Sequence, residues 1–121
     1  MCVKPEYAAV EGSSMYPKAG ETLSLRDTLY GLMLASGNDA AVAIAGECGG
    51  MTAFVGKMNA KAAELGLTDT HFDNPNGLPS DTHYTTAHEL AKITAAALKD
   101  PVFRQIVSTK SCTVSGHALS N

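Results

Sequence analysis

The stretch that decides the fold is LASGNDAA, residues 34–41. Apolar, helix-prone runs flank its centre on both sides, at residues 29–35 and 40–45. The polar or flexible residues at 36–39 would break a buried helix, because such side chains compete for backbone hydrogen bonds or add backbone freedom. The sequence therefore predicts a tight turn between two helices, with its side chains facing a groove. Ser36 and Asn38 are the candidates for chemistry at this turn.

Ser36 and Asn38 admit two interpretations. An Asn carboxamide has two donors and an acceptor, and two residues from a Ser hydroxyl it can orient a substrate amide while the hydroxyl passes a proton. Alternatively, Ser36 only closes the first helix and Asn38 only caps the second. The spacing alone favours this simpler structural interpretation, since Ser-x-Asn is a common tripeptide.

The helix before the turn is predicted to begin at a capping box. Ser24 supplies a hydroxyl for the helix start, and Asp27 supplies a carboxylate that can return the bond. Residues 39–47 form the next predicted helix, which Gly49-Gly50 ends. Apolar residues at helical spacing give the first helix a face that must pack on a neighbour, namely Leu25, Leu29, Leu32 and Met33.

Three further helices are predicted along the chain. Thr52 is expected to cap the third helix, and Thr86 with Glu89 forms a second capping box at the start of the fourth. Pro101 starts a short helix that continues through Ile106.

Extended structure is predicted between and around these helices. The first 23 residues read as turns with a short strand at 7–10, and residues 67–72 read as extended. Residues 73–77, DNPNG, are the strongest loop signal in the chain. A strand at 109–114 would lie alone at its end of the chain, and a lone strand is not stable. The predicted fold class is mainly α, with short extended or strand segments at the two ends.

The composition is that of an ordinary globular chain, with 121 residues, 45% hydrophobic and 17% charged. This length fits one domain or part of one. The net charge is -3 and the nine Lys and Arg residues are scattered, so neither nucleic acid nor an anionic membrane is expected as a partner. No window approaches the roughly 18–20 apolar residues of a membrane span, and residues 1–5 lack the apolar region of a signal peptide.

Cysteine and histidine usage offers no metal or redox motif. The three cysteines are widely spaced with no Cys-x-x-Cys pair, and Cys48 reads as a small core residue at a helix end. His83 and His88 are five residues apart and, even with Asp81 nearby, lack the spacing of a metal site. His71 and His83 are instead expected to hold the loop at 74–81 by hydrogen bonds.

A complete serine-nucleophile apparatus is not visible in these residues. A nucleophilic serine needs a base within hydrogen-bond reach. The chain has neither a Gly-x-Ser-x-Gly elbow nor a Ser-x-x-Lys helix start, and Lys110 stands at the wrong offset from its neighbouring hydroxyls.

Several segments, taken in order, nevertheless carry a specific resemblance. They are VEGSSMY at 10–16, LASGNDAA at 34–41, LGL with THF at 65–72, NGLP at 76–79 and HYTTA at 83–87. In this order, over nearly all 121 residues, the chain resembles the serine-type D-alanyl-D-alanine carboxypeptidases. These are low-molecular-mass penicillin-binding proteins that share the fold of the serine β-lactamases. A β-lactamase would share this architecture, but the segments around Ser36 and at 83–87 favour the carboxypeptidases.

The resemblance implies an enzyme that removes the terminal D-alanine of peptidoglycan stem peptides through an acyl-enzyme and that binds penicillin. Such enzymes use Ser-x-x-Lys for the nucleophile and base, Ser-x-Asn on the opposite wall, and Lys-Thr-Gly to bind the substrate carboxylate. Only the second motif is present here, as Ser36 and Asn38, which the resemblance makes catalytic and substrate-binding. No cofactor and no metal are implied.

The resemblance also implies that residues 1–121 are a single partial domain, the helical subdomain without its sheet subdomain. The isolated chain is then expected to be inactive and to form no penicillin adduct. It is also expected to self-associate, because the Leu25/Leu29/Leu32 stripe and the Ala-rich helix after Asn38 would be exposed and its terminal strands could pair or exchange. The parent is expected to lie outside the cytoplasmic membrane, where peptidoglycan is. The alternative is a stand-alone, non-catalytic helical module that binds cell-wall peptide or a protein partner.

Overall fold

The computed structural model describes residues 1–121 and has the predicted, mainly helical character. Two strands at the C-terminal end form an antiparallel hairpin with Ser111 opposite Ser120. No helix is of the length and apolarity that crossing a membrane requires. In chain order the elements are α1 (Pro5–Ala8), α2 (Leu25–Leu34), α3 (Asn38–Glu47), α4 (Met51–Glu64), α5 (Ala87–Ala97), α6 (Pro101–Val107), β1 (Ser111–Val114) and β2 (His117–Ser120).

The core forms around α3, whose small residues allow close approach by its neighbours. Tyr7 of α1 and Met15 of the following segment are buried against it together with Leu34 of α2. The expectation that this Ala-rich helix would be exposed is therefore wrong, because α1, α2 and the N-terminal segment cover it. Its buried apolar residues are Ala40, Ala41, Ala43, Ile44 and Ala45.

Both predicted capping boxes are half-formed. The Ser24 hydroxyl accepts the Asp27 N–H at 3.0 Å, and the Thr86 hydroxyl accepts the Glu89 N–H at 3.1 Å. Neither carboxylate returns the bond to its own helix start. Asp27 accepts the hydroxyl of Ser115 in the hairpin turn, and Glu89 accepts donors from residues 68–70. Each carboxylate thus joins its helix to a distant segment.

Two local predictions in the N-terminal half are wrong. The strand expected at 7–10 is instead helix α1, which begins at Pro5, a residue whose fixed φ suits the first helical position. Thr52 does not cap α4, because the helix already begins at Met51 behind Gly50. Gly50 is the N-cap residue of this helix and has a φ of 95°, and no side chain caps the helix.

The sequence predicts a lone strand at the C-terminal end, but in the structure this strand has a partner. It begins at Ser111 and pairs with the strand 117–120, which the sequence analysis missed. Ser115 and Gly116 connect the two strands, both with positive φ, which matches the twist of a two-residue hairpin turn.

The loop at 74–81 is held by the two predicted histidines. The His71 ring Nδ1 lies 2.6 Å from the Thr82 carbonyl oxygen, and the Asp73 backbone N–H donates to His83 Nδ1 at 2.9 Å. An isolated bridge pairs His71 with Tyr84 and closes the base of the loop. The expected role of the histidines is thereby confirmed, and no group of His, Cys, Asp or Glu in the chain is placed to hold a metal ion.

Candidate active site

The turn predicted at residues 36–38 is present between α2 and α3. Ser36 follows the last residues of α2 with a φ of 52°, a left-handed conformation that is uncommon for residues other than glycine. Gly37 is the N-cap of α3, and its N–H donates to the Gly31 carbonyl at 3.3 Å. Asn38 is the first residue of α3. The turn therefore places Ser36 and Asn38 on either side of Gly37, at the N-terminus of α3.

Asn38 does not act as a helix cap. Gly37 occupies the capping position and no side chain caps the helix. The Asn38 carboxamide instead donates through Nδ2 to the Ser13 carbonyl at 3.3 Å, beside the backbone N–H, which donates to the same oxygen at 2.8 Å. Its Oδ1 accepts no protein donor and is not sealed from solvent. The capping interpretation of Asn38 is therefore wrong.

Ser36 is exposed at the surface of this turn, and its hydroxyl makes no hydrogen bond to the protein. A non-glycine residue in the left-handed region costs on the order of 1–3 kcal/mol, and such strain is concentrated at functional sites. Ser36 and Asn38 line none of the principal cavities, so these residues alone do not form the groove that was expected in front of the turn.

Asp39 also belongs to this site, although the sequence places it only in the polar run at 36–39 and assigns it no role. Its side chain is fully buried, and its carboxylate accepts the backbone N–H groups of Met15 at 3.2 Å, Tyr16 at 3.2 Å and Ala40 at 2.8 Å. It also accepts the Ser14 hydroxyl. An acidic residue in the first turn of an otherwise apolar helix was the available signal, because the helix N-terminus favours negative charge.

The segment at 12–16 lies against the turn so closely that Gly12 has no room for a side chain. A Cβ on Gly12 would lie 2.6 Å from Asn38 Nδ2, and the residue has a φ of 94°. Glycine is the residue that allows both the backbone conformation and this contact. The segment and the turn thus form one unit.

The groups with displaced pKa values belong to other elements. The Thr70 hydroxyl, together with the N–H groups of Asp69 and Thr68, lowers the pKa of Glu89 despite its burial. The hydroxyls of Ser80 and Thr82 lower the pKa of Asp73. These carboxylates organise loops, whereas the turn at 36–38 presents neutral polar groups.

Comparison with known proteins shows the family of this chain. A family model described as D-alanyl-D-alanine carboxypeptidase matches residues 3–119. The chain belongs to this family. It is 48% identical over 96 residues to D-alanyl-D-alanine carboxypeptidase DacB2 of Mycobacterium tuberculosis, covering 78% of this chain and 33% of that protein. It is 43% identical over 101 residues to the D-alanyl-D-alanine carboxypeptidase of Streptomyces sp. strain K15, covering 78% of this chain and 35% of that protein.

The carboxypeptidase family is also recognisable in the fold. The structure of penicillin binding protein 6B from Escherichia coli superposes with a TM-score of 0.91 at 37% identity, over 99% of this chain and 40% of that one. The chain therefore has the fold of the helical part of these penicillin-binding proteins, as the resemblance implied. It spans about a third of the length of the curated relatives it matches.

Proposed function

We propose that residues 1–121 are a partial domain, the helical subdomain of a serine-type D-alanyl-D-alanine carboxypeptidase, with Ser36 and Asn38 on one wall of its active site. The observation that carries the proposal is the turn at 36–38. It presents a free Ser36 hydroxyl and the open Oδ1 of Asn38 from a strained backbone, in a chain that belongs to this family. A turn that served only to join two helices would need neither feature.

The two side chains have separate roles in this proposal. The exposed Ser36 hydroxyl can accept a proton and donate one, so it relays the proton between the nucleophile's base and the leaving amine. Asn38 has one donor committed to Ser13, which fixes the carboxamide, and its Oδ1 is left to receive a donor from the catalytic lysine or the substrate amide. A polar group fixed before the reaction stabilises the transition state without reorganising.

The substrate in this proposal is a peptidoglycan stem peptide that ends in D-Ala-D-Ala. A serine oxygen attacks the carbonyl of the penultimate D-alanine, the terminal D-alanine leaves with a proton, and water then hydrolyses the acyl-enzyme. β-Lactams acylate the same serine. That serine, its lysine and the Lys-Thr-Gly strand are not among the 121 residues. The reaction needs no cofactor, and the whole protein acts outside the cytoplasmic membrane, where this substrate is found.

The 121-residue chain by itself is then inactive, because groups of a catalytic unit lose most of their effect when the nucleophile is missing. Incubation with benzylpenicillin should leave its intact mass unchanged. A mass increase equal to one penicillin molecule would show a nucleophile within these residues and would contradict the assignment.

The experiment that tests the proposal is to read the source DNA on both sides of the coding stretch and assay the product of the complete reading frame. In-frame Ser-x-x-Lys before the stretch and Lys-Thr-Gly after it, with release of D-alanine from a stem pentapeptide, are the expected results. Stop codons on both sides without these motifs would instead support a stand-alone helical module that binds cell-wall peptide or a protein partner.

A further inference from the structure

The orientation of Asn38 depends on a buried carboxylate beside it. The Asn38 carboxamide has a single protein partner, the Ser13 carbonyl. Ser13 belongs to a segment without regular secondary structure, residues 12–16, which has no helix or strand of its own to fix its position. The Asn38 backbone N–H donates to the Ser13 carbonyl at 2.8 Å, but a single hydrogen bond does not fix the direction of a segment, so the residues after Ser13 must be held as well.

Asp39 is the group that holds this segment. Within residues 12–16, its carboxylate accepts the Ser14 hydroxyl and the N–H groups of Met15 and Tyr16. These donors come from the three residues directly after Ser13. Asp39 also accepts its own neighbour's N–H, from Ala40, so the carboxylate is fixed to the first turn of α3. The segment is thereby attached to the same helix end that carries Asn38.

The charge of Asp39 explains why this attachment is specific. The side chain is 0% exposed and has no cation beside it, so hydrogen-bond donors and the helix N-terminus are what compensate its charge. An amide at this position would accept fewer bonds and would place its own N–H groups against the donors of the segment. Tyr16 has a φ of 57°, and its N–H is shared between this carboxylate at 3.2 Å and the Ser14 hydroxyl oxygen at 2.8 Å.

We infer that Asp39 is a positioning residue that fixes the Asn38 carboxamide through the segment at 12–16. We call the hydrogen bonds from residues 14–16 to Asp39 the clamp. With the clamp in place, Nδ2 faces the Ser13 carbonyl, and Oδ1 has no protein partner and is not sealed from solvent. Without it the carboxamide can turn, and Oδ1 no longer has a fixed direction. This inference deepens the proposed function of Asn38 and rests on it for its catalytic meaning, but the orientation itself can be measured without turnover.

The test uses the 121-residue chain with ¹⁵N label, and its variants Asp39→Asn and Asp27→Asn. Asp27 provides a matched control, because it is also a carboxylate in the first turn of a helix that accepts a serine hydroxyl, from Ser115 at 2.7 Å. The readouts are the solvent exchange of the Asn38 side-chain amide and its nuclear Overhauser effect to the Gly12 Hα.

Asp39→Asn should lose the Overhauser effect to Gly12 and speed up the exchange of the Asn38 amide by about tenfold or more. Asp27→Asn should preserve both. Unchanged exchange and an intact Overhauser effect in folded Asp39→Asn would overturn the inference. If that variant does not fold, Ser14→Ala replaces it, since it removes one donor of the carboxylate and the oxygen that accepts the Tyr16 N–H, but no buried apolar volume. Faster Asn38 exchange in Ser14→Ala supports the clamp, and exchange equal to that of the unmodified chain overturns it.

Because neither readout depends on catalysis, the test of this inference can fail or succeed independently of the test of the proposed function. A positioned Asn38 in a protein that releases no D-alanine would leave the clamp standing and remove the carboxypeptidase assignment. A mobile Asn38 in an enzyme that releases D-alanine would contradict the clamp and leave the carboxypeptidase assignment standing.

Discussion

Asn38 is a polar residue at a helix start that is only 9% exposed, and Gly12 is the reason it fits there. The missing Cβ of Gly12 leaves the space that Asn38 Nδ2 occupies. A carboxamide packed this closely between a glycine and a carbonyl has little freedom to rotate. The absence of a Cβ at Gly12 is therefore as necessary to this site as the carboxamide of Asn38.

Gly12→Ala should lower the free energy of unfolding more than Gly20→Ala does. Both glycines have positive φ, 94° and 86°, so each alanine costs about 1–2 kcal/mol in backbone strain. A Cβ on Gly20 meets nothing within 4 Å, whereas one on Gly12 meets Asn38, which adds about 1–3 kcal/mol of overpacking. Urea denaturation of the two variants measures the difference. Equal losses would mean that Asn38 moves away freely and is not held by its surroundings.

At the scale of elements, the sequence predicts what is local and misses what is distant. The starts of α2 and α5 follow from Ser24 and Thr86, since a hydroxyl before an apolar run is a sufficient local signal. The turn at 36–38 follows from its own residues in the same way. The contacts of Glu89 and the contacts of Asp39 with residues 14–16 depend on groups 19 or more residues away, and no local pattern encodes them. The second strand of the hairpin is an exception, because its partners are only 3–9 residues away and Ser115-Gly116 is a local turn signal.

The packing of α1 against α3 depends on a glycine in the middle of α3. A Cβ on Gly46 would collide with the hydroxyl and ring of the buried Tyr7, whereas a Cβ on Gly56 of α4 would meet nothing. Gly46→Ala should therefore destabilise the chain by about 1–3 kcal/mol. Gly56→Ala should stabilise it by about 0.5–1 kcal/mol, since alanine is the better helix former. Thermal unfolding monitored by circular dichroism compares them, and a stabilising Gly46→Ala would show that α1 is not packed as described.

Glu89 should make the attachment of α5 sensitive to acid. Its pKa is lowered in the folded chain, chiefly by the Thr70 hydroxyl and also by the N–H groups of Asp69 and Thr68. A lowered folded pKa means that this contribution to stability is complete above the ordinary glutamate value of about pH 4.5 and is lost as pH falls through the lower folded value.

Glu89→Gln should therefore lower the melting temperature by several degrees at pH 7 and by progressively less below pH 4.5. Glu64→Gln provides the control, because Glu64 is exposed and pairs only with Lys61 of its own helix, at 3.1 Å. Its melting temperature should stay close to that of the unmodified chain at every pH. A constant difference for Glu89→Gln from pH 7 to pH 3 would show that the charge of Glu89 is not what matters.

At the scale of the whole molecule, the 121-residue chain leaves apolar surface open. Apolar side chains of α2 and α6 line a groove of about 390 Å³, including Leu32, Met33, Val102 and Phe103. A second apolar groove, of about 330 Å³, lies between α4 and α5 and includes Phe54 and Ile93. Surface of this kind commonly marks an interaction site. We expect it to draw two copies of the 121-residue chain together.

Val102→Glu should reduce this self-association, because it places a charge in the α2–α6 groove at a position that is 39% exposed. Thr94→Glu, on the exposed face of α5, should leave it unchanged. Sedimentation velocity over a range of concentrations measures both. A monomeric unmodified chain at the highest concentration would contradict the expectation.

The central claim is that Ser36 and Asn38 form one wall of an acyl-transfer site, and the rate of acylation by benzylpenicillin tests it most directly. The measurement is intact-mass kinetics on the product of the complete reading frame, comparing the unmodified protein with Asn38→Ala, alongside their melting temperatures. We predict acylation that is about 10²–10³-fold slower with only a small change in melting temperature, because a fixed polar contact is lost and no core volume is removed. Unchanged acylation, or a loss of activity that merely follows a loss of stability, would contradict the account.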